Sequence, residues 1–204
     1  MLAVADEEVP TWRSRARDLR VDLLLAAGDL PWDYLTSLAQ ALGVPAVHVP
    51  GNHDPQTTRR RPAPHGFLSG DGRVVDAAGL RIAGLGGSVR YNDGPHQFTQ
   101  AQLARRARRL VAAADGRSVD VLLTHAPPLG LGDEPDPPHA GFAALHDVLE
   151  ALQPTWHLHG HIHPHGWHKA DRHVGVTIIR NVIPWDVLEI EPRDAAVRVG
   201  AREA

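Results

Sequence analysis

Five short apolar runs, each followed by a polar turn, constrain the fold of this chain most strongly. Val, Leu and Ala dominate the runs without strict alternation of apolar and polar residues, which is typical of strands buried on both faces. Strands of this kind lie in sheets that other layers cover on both sides. The runs are LAVAD at 2–6, VDLLLAAGD at 21–29, VPAVHVPGNHD at 44–54, VDVLLTHAPP at 119–128 and PTWHLHGHIH at 154–163.

Segments with helical periodicity separate these runs. Pro31 and Gly43 bracket the first predicted helix, because proline suits the first turn of a helix and glycine suits its end. Thr99 and Gln102 form a capping-box signature before the second helix. Apolar residues over 142–152 indicate a third. Strands that alternate with helices predict a layered α/β fold.

Two further segments predict strands outside this alternation. The stretch 73–86 has the pattern of a hairpin that turns near Ala78 and Gly79. The C-terminal stretch 176–200 suggests two or three more strands, which favours mixed sheets or a two-sheet core over one purely parallel sheet. We find no internal repeat and no linker, so we predict one domain over residues 1–204.

The composition disfavours several classes of protein. The 204 residues carry a formal net charge of −3, whereas a dedicated nucleic-acid binder usually shows a basic excess. There is no cysteine, so metal ligands must be nitrogen or oxygen atoms. The N-terminal MLAVADEEVP lacks the basic region of a signal peptide, and no apolar run approaches the length that spans a bilayer. We therefore expect a cytoplasmic protein without a membrane partner.

Polar side chains follow each of the five apolar runs. In open α/β sheets, ligands bind at the carboxyl ends of the strands, so donors from distant segments are expected to meet at one edge. Carboxylate, amide and imidazole donors suit Mn, Fe, Zn, Co or Ni. The candidates exceed the need of one ion and suit two ions about 3.5–4 Å apart. They are Asp6, Glu8, Asp29, Asn52, His125, His161 and His163.

These motifs resemble the signature of the calcineurin-like metallophosphoesterase superfamily, in its small, bacterial-type, single-domain form. The signature D-x-H, GD, GNH[D/E], H, GHxH is matched in order by DEE at 6–8, GD at 28–29, GNHD at 51–54, His125 and GHIH at 160–163. GNHD and GHIH together make a specific signal, whereas either motif alone would be weak. One position departs from the signature, because Glu8 stands where the superfamily usually has histidine.

The resemblance implies a fold and a metal centre. The fold would be a four-layer αββα sandwich of two mixed β-sheets, with the active site at the carboxyl ends of the strands. The metal ligands would divide into two sets that share one bridging carboxylate. The first metal would take Asp6, Glu8 and His163, the second would take Asn52, His125 and His161, and Asp29 would bridge them.

The resemblance also implies a mechanism. A hydroxide that bridges the two metals would attack phosphorus. His53 would face the substrate as general acid or transition-state stabiliser, and Asp54 would orient His53. We therefore expect a metal-dependent phosphoesterase that hydrolyses a small-molecule phosphoester. The cofactors would be two divalent ions, with Mn²⁺ expected first and Fe, Zn, Co or Ni as alternatives.

Glu8 bears on the substrate preference. A carboxylate in place of a neutral histidine leaves the centre one charge less positive. A dianionic phosphomonoester loses more attraction from this change than a monoanionic diester does. The sequence therefore favours phosphodiesters over monoesters.

Two other functions remain open from the sequence. Some members of the superfamily are catalytically silent scaffolds or protein-interaction modules, the retromer scaffold subunit among them. His53 and the complete set of second-metal ligands favour catalysis over that role. The other alternative is a nuclease, against which stand the negative net charge and the lack of an obvious DNA-clamping domain.

Several histidines and arginines have both a structural and a functional interpretation. The predicted metal roles leave His157, His159, His165 and His168 without an assignment, and ordinary packing or surface positions are the simpler interpretation. His159 directly precedes the metal turn and would lie beside the ligands. Arg59–Arg61 would reach a phosphate-rich substrate. The solvated face of a helix is expected to carry Arg105, Arg106, Arg108 and Arg109.

Two polar loops complete the list of candidates. The stretch 86–98 carries Arg90 and Tyr91, and the long loop 126–141 carries Asp133 and His139. Both loops resemble stretches of a bacterial subgroup of the superfamily. Their residues either contact the substrate or anchor the loops, and long loops in compact domains are usually functional or disordered.

Overall fold

Two mixed β-sheets lie face to face in the computed structural model, which describes residues 1–58, 63–164 and 170–193. Four α-helices lie in the described part: α1 (Trp12–Arg15), α2 (Trp32–Leu42), α3 (Gln100–Ala114) and α4 (Ala144–Leu152). The strands are β1 (Leu2–Val4), β2 (Leu24–Ala26), β3 (Ala46–His48), β4 (Phe67–Ser69), β5 (Arg73–Ala77), β6 (Leu80–Leu85), β7 (Ser88–Val89), β8 (Gln97–Phe98), β9 (Val121–Thr124), β10 (Trp156–His159), β11 (Arg172–Val174), β12 (Thr177–Asn181) and β13 (Trp185–Val187).

The order of the strands brings the predicted ligand segments side by side. The first sheet has the order β13-β1-β2-β3-β4, and its strands are parallel except for β13. The second sheet has the order β11-β12-β10-β9-β6-β5 and is parallel over β12, β10, β9 and β6. The strands β7 and β8 form a small separate pair. The carboxyl ends of β1, β2 and β3 in one sheet and of β9 and β10 in the other therefore carry the predicted ligands.

Each central strand buries both of its faces. In β1, Ala3 belongs to the core between the two sheets, whereas Leu2 and Val4 pack toward α1 and α2. In β9, Leu123 lies between the sheets and Leu122 packs toward α3 and α4. Burial on both sides explains why the apolar runs show no alternation. The layers follow the predicted αββα order, so the fold class inferred from the sequence is confirmed.

Both ends of α2 and the start of α3 lie at the residues that the sequence indicated. The Gly43 end of α2 adopts a left-handed backbone with φ of 66°. At the start of α3, Thr99 and Gln102 each accept a hydrogen bond from the backbone N–H of the other. Loss of such a cap typically costs about 1 kcal/mol. The longest of the described helices has 15 residues, and none of them is long and apolar enough to cross a membrane.

The strands predicted outside the alternation are also present. The strands β5 and β6 form an antiparallel hairpin, and Ala78 and Gly79 both have positive φ at its turn. The C-terminal stretch supplies β12 to the second sheet and β13 to the first. Arg180 of β12 donates a hydrogen bond to Asp186 of β13 at 2.8 Å, so an ion pair links the two sheets at this side.

Candidate metal centre

Backbone geometry at the strand ends turns three predicted ligands toward one another. Asp6, Asp29 and His161 follow β1, β2 and β10, and their φ angles are 60°, 57° and 69°. Residues other than glycine seldom adopt positive φ, and they tend to do so at functional sites. The left-handed residue ends the strand and redirects the chain, which brings the side chains of both sheets to one edge.

The residues predicted to bind the second metal and the predicted bridging carboxylate form a cluster. Ligand atoms of Asp29, His125 and His161 all lie within 4.8 Å of one another. Nε2 of His125 is 3.2 Å from Oδ2 of Asp29 and 3.1 Å from Oδ1 of Asn52. Four residues that are far apart in the sequence therefore lie side by side.

The hydrogen bonds of His125 leave Nε2 as the ring nitrogen that faces the other polar side chains of the cluster. Nδ1 of His125 lies 2.7 Å from the carbonyl oxygen of Ala27 and must carry a proton, because a carbonyl only accepts. In the neutral ring, Nε2 then offers a lone pair toward the oxygens of Asp29 and Asn52. Three acceptor atoms that face one another require a positive charge between them, which a proton or a metal ion supplies.

The other two predicted histidine ligands have the same arrangement. Nε2 of His161 donates to the carbonyl oxygen of Pro138 at 2.8 Å, which leaves Nδ1 free to bind. Nδ1 of His163 donates to Oε1 of Glu7 at 3.1 Å, and its Nε2 lies 3.9 Å from Oδ1 of Asp6. Histidines that bind metals nearly always donate the second ring N–H to an oxygen in this way. The donor set therefore fits divalent metal ions.

Two motif glycines make room for the ligands. A Cβ atom at Gly51 would lie 2.1 Å from Oδ1 of Asp29, and one at Gly160 would lie 2.3 Å from Oδ2 of Asp6. No real Cβ approaches an oxygen this closely. The glycines of GNHD and GHIH are thus required because a ligand from another segment packs against each of them.

The electrostatics of the cluster reflect its burial. Burial raises the pKa of Asp6 to about 6, against the opposing effect of His125. Burial alone would lower the pKa of His125, but the carboxylates of Asp29 and Asp6 raise it to about 9. Burial and the charge of His125 lower the pKa of His161 to about 3. The carboxylates thus favour a cation among them, while His161 stays neutral and able to bind one.

The two neighbouring glutamates occupy different positions. Glu7 contacts His163, although the sequence motifs do not point to it. The Glu8 side chain is exposed. Burial raises the pKa of Tyr34, and the negative charge of Glu8 raises it further. Among the side chains that the structure describes, Glu8 forms no hydrogen bond or ion pair. Ligation by Glu8 stays a prediction, and Glu7 is the carboxylate that orients His163.

His53 and Asp54 differ from expectation in one respect. The His53 side chain is exposed beside the cluster, and its backbone N–H donates to Oδ1 of Asp29 at 2.8 Å. Oδ2 of Asp54 accepts from the backbone N–H groups of Asp29 at 3.0 Å and Gly51 at 2.8 Å. In the described part of the chain, the Asp54 carboxylate and the His53 ring form no hydrogen bond or ion pair with each other. Asp54 therefore fixes the turns that carry Asp29 and His53, because its carboxylate accepts hydrogen bonds from backbone amides of these turns.

The two polar loops lie against the centre. The hydroxyl of Tyr91 accepts from Nδ2 of Asn52 at 3.2 Å. In the long loop, Asp133 accepts from the backbone N–H groups of Gly130 at 2.8 Å and Gly141 at 2.9 Å, which closes the loop on itself. The ring of His139 lies 5.5 Å from that of His161. Asp133 thus anchors its loop, and Tyr91 contacts the predicted ligand Asn52.

The histidines and arginines without predicted roles also have defined positions. His157 is buried and bonds to Thr124 at 2.8 Å, and His159 is buried with Nδ1 2.9 Å from the carbonyl oxygen of Gly160. Arg106 is half-buried and pairs with Asp71 at 2.5 Å, so it is not part of the solvated helix face, whereas Arg105, Arg108 and Arg109 are exposed. The predictions for Arg59–Arg61, His165 and His168 lie outside the described residues.

Comparison with known proteins agrees with the fold. Residues 6–165 match the calcineurin-like phosphoesterase family, and the chain belongs to this family. Its superfamily consists typically of metal-dependent phosphoester hydrolases, generally with two metal ions, and some of its members are non-catalytic. No curated protein matches the chain significantly.

Solved structures match the chain at low sequence identity, and the first two share its fold. One crystal structure is 16% identical with a TM-score of 0.63, and the match covers 89% of each chain. The protein TT1561 of Thermus thermophilus is 15% identical with a TM-score of 0.59, over 89% of this chain and 87% of that chain. Wild type Vps29 complexed with Zn²⁺ from Entamoeba histolytica is 15% identical with a TM-score of 0.43, over 89% and 75%.

Proposed function

We propose that this protein is an active binuclear-metal phosphoesterase that favours phosphodiesters over monoesters and uses Mn²⁺. The observation that carries the proposal is the arrangement of the three histidines. His125, His161 and His163 each donate one ring N–H to an oxygen and keep the other nitrogen for a ligand. The proposed metal ligands are Asp6, Glu8, Asp29, Asn52, His125, His161 and His163.

The bound ions and the chain would divide the chemistry between them. Two divalent ions would lower the pKa of a bound water, so that hydroxide forms near neutral pH. They would also offset the negative charge of the phosphoryl group. Asp29 would hold both ions. The backbone N–H of His53 would keep the Asp29 carboxylate in place. Asp54 would brace the two turns through the backbone. These residues together would position the phosphorus atom opposite His53.

His53 would act on the leaving group. Its side chain is exposed at the mouth of the centre, where it can meet an ester oxygen. A proton donated from the ring to that oxygen would neutralise the alkoxide as the bond to phosphorus breaks. A scaffold would have no use for an imidazole at this position, so its presence supports catalysis.

The preference for diesters and for Mn²⁺ rests on Glu8. With Glu8 as a ligand, three carboxylates offset most of the charge of two divalent ions. A monoester dianion then gains less attraction than it would at a centre with neutral histidine. A carboxylate also favours Mn²⁺ or iron over Zn²⁺.

The experiment is metal analysis followed by a substrate panel. Protein stripped with chelator should hydrolyse neither bis(4-nitrophenyl) phosphate nor 4-nitrophenyl phosphate, and Mn²⁺ should restore the diester reaction more than the monoester reaction. Full turnover in excess chelator, with no metal found by elemental analysis, would contradict the proposal. A protein that binds Mn²⁺ but turns over no ester would point to the scaffold alternative.

A further inference from the structure

The long loop 126–141 contacts the candidate metal centre through the backbone of one proline. The carbonyl oxygen of Pro138 accepts the Nε2–H of His161 at 2.8 Å. Pro138 lies in a short 3₁₀ turn, Pro137–His139, in which two proline rings restrict the backbone. The acceptor for the His161 ring therefore belongs to a stiff turn, and its position over the centre depends on how the rest of the loop is held.

Asp133 holds the base of the segment that carries this turn. Its Oδ1 accepts from the backbone N–H of Gly130 at 2.8 Å, and its Oδ2 accepts from that of Gly141 at 2.9 Å. The second of these bonds closes residues 133–141 into a ring around the turn. Hydrogen bonds to a charged acceptor are roughly twice as strong as those between neutral groups. The carboxylate therefore uses both of its oxygens to fix the loop.

Gly141 is also held from outside the loop. A Cβ atom at this position would lie 2.5 Å from the carbonyl carbon and oxygen of Pro128, so glycine is required here. Gln100, the first residue of α3, donates from Nε2 to the carbonyl oxygen of Gly141 at 2.9 Å. Its Oε1 accepts from the backbone N–H of Ala143 at 3.0 Å. Two side chains from different segments thus converge on the glycine at the end of the loop.

We propose that Asp133 is a positioning residue for the second metal, which acts on the His161 ring through the carbonyl of Pro138. With this carbonyl in place, Nε2 carries the ring proton and Nδ1 keeps a lone pair for an ion. When the carbonyl moves away, the proton can shift to Nδ1 and bond to the nearby carboxylate of Asp29. The proposal rests on the proposed function, because it concerns His161 as a metal ligand.

The tautomer of His161 tests the proposal on the metal-free protein. Asp133→Asn keeps the size of the side chain but has one acceptor oxygen in place of two, so one backbone N–H loses its partner. NMR of ¹⁵N-labelled histidine rings at neutral pH should show the His161 proton on Nε2 in the parent and shared between both nitrogens in the variant. Comparison with the spectrum of His161→Gln assigns the signals.

Metal titration provides a second readout. Calorimetry with Mn²⁺ should show that Asp133→Asn binds the second ion about 10–100-fold more weakly and the first ion as the parent does. Gln100→Ala releases Gly141 from α3 without changing the loop itself. It should shift the tautomer and the affinity for the second ion in the same direction.

Asp120→Asn is the matched control. Asp120 also accepts one backbone N–H on each carboxylate oxygen, from Arg81 at 2.7 Å and from Arg193 at 2.8 Å. It precedes β9, whereas His125 follows that strand, so it lies at the far end from the centre. Asp120→Asn should therefore lower the free energy of unfolding without changing the His161 tautomer or the binding of either ion.

The outcomes separate this proposal from the proposed function. A parent-like His161 tautomer in both Asp133→Asn and Gln100→Ala, with two Mn²⁺ ions bound as tightly as in the parent, refutes the role of Asp133 and leaves the proposed function intact. A tautomer change of equal size in Asp120→Asn also refutes that role, since it would reflect general destabilisation. A parent protein that binds no Mn²⁺ refutes the proposed function, and the positioning role fails with it.

Discussion

Nδ2 of Asn52 donates a hydrogen bond to the hydroxyl oxygen of Tyr91 at 3.2 Å, while Oδ1 of the same amide faces Nε2 of His125 at 3.1 Å. In this orientation Tyr91 holds the amide with its oxygen pointing into the cluster. An amide turned the other way would present N–H groups to the centre, and these cannot bind a metal ion. Tyr91 is thus a positioning residue for the proposed metal centre.

We expect Tyr91→Phe to weaken binding of the second metal about 10–100-fold, the usual effect of removing a residue that orients a ligand. Calorimetric titration with Mn²⁺ measures this directly. Tyr34→Phe is the matched control, because the Tyr34 hydroxyl bonds only to the backbone N–H of Val9 among the described contacts. Parent-like Mn²⁺ binding by Tyr91→Phe would show that Asn52 needs no such support.

Glu7→Gln should lower the affinity for the first metal by a similar factor of about 10–100. Gln keeps the size of Glu7 but is a weaker acceptor for the His163 ring N–H than a carboxylate is. The second metal should be unaffected, so titration should show one weakened and one unchanged site. Two unchanged sites would mean that the contact between Glu7 and His163 contributes nothing to metal binding.

Glu8→His should raise the ratio of monoester to diester hydrolysis and shift the metal preference from Mn²⁺ toward Zn²⁺. The reason is the additional positive charge at the centre and the softer ligand. The measurement is kcat/KM for 4-nitrophenyl and bis(4-nitrophenyl) phosphate in the parent and the variant. An unchanged ratio with both metals bound would identify Glu8 as a bystander, in keeping with its exposed side chain.

Asp29→Asn and His53→Ala should separate metal binding from proton transfer. Asp29→Asn should lose metal, because the bridging carboxylate contacts both ions in the proposed centre. His53→Ala should keep both metals and lose about 10²–10⁴-fold in kcat on an ester with a poor leaving group. Elemental analysis and kcat distinguish the two variants. A His53→Ala enzyme as fast as the parent would remove His53 from the mechanism.

His48 should make the stability of the metal-free protein depend on pH. Burial lowers the pKa of His48 to about 4, against the opposing effect of Asp71, whereas the unfolded value is near the ordinary 6.5. The neutral ring therefore stabilises the fold fully above pH 6.5, and this contribution falls as the pH drops toward 4. At pH 5 the loss is about 2 kcal/mol.

His48→Leu should lose this part of the pH dependence, which denaturant unfolding at pH 7 and pH 5 measures. The exposed His65 supplies the control variant His65→Ala. Parallel pH profiles for His48→Leu and the parent would show that His48 protonates equally in both states.

The secondary structure and the ligand segments were predictable because their signals are local. Runs buried on both faces indicate central strands. Helix ends are marked by local backbone geometry and capping, as at Pro31, Gly43, Thr99 and Gln102. The strand-end motifs likewise identify Asp29, Asn52, His125 and His161, since topology carries strand ends to one edge. These predictions needed no knowledge of which side chains touch.

The sequence by itself thus determined the layered fold, the family and the types of donor at the centre. Only the tertiary structure decided how those donors are supported: Glu7 rather than Glu8 contacts His163, and Asp54 binds backbone amides. It also decided that Arg106 leaves the solvated face to pair with Asp71. The physical reason is that these contacts join residues from separate strands and helices. The distances between them depend on how the layers pack. Glu7 and Glu8 are chemically identical neighbours, but their side chains point in different directions.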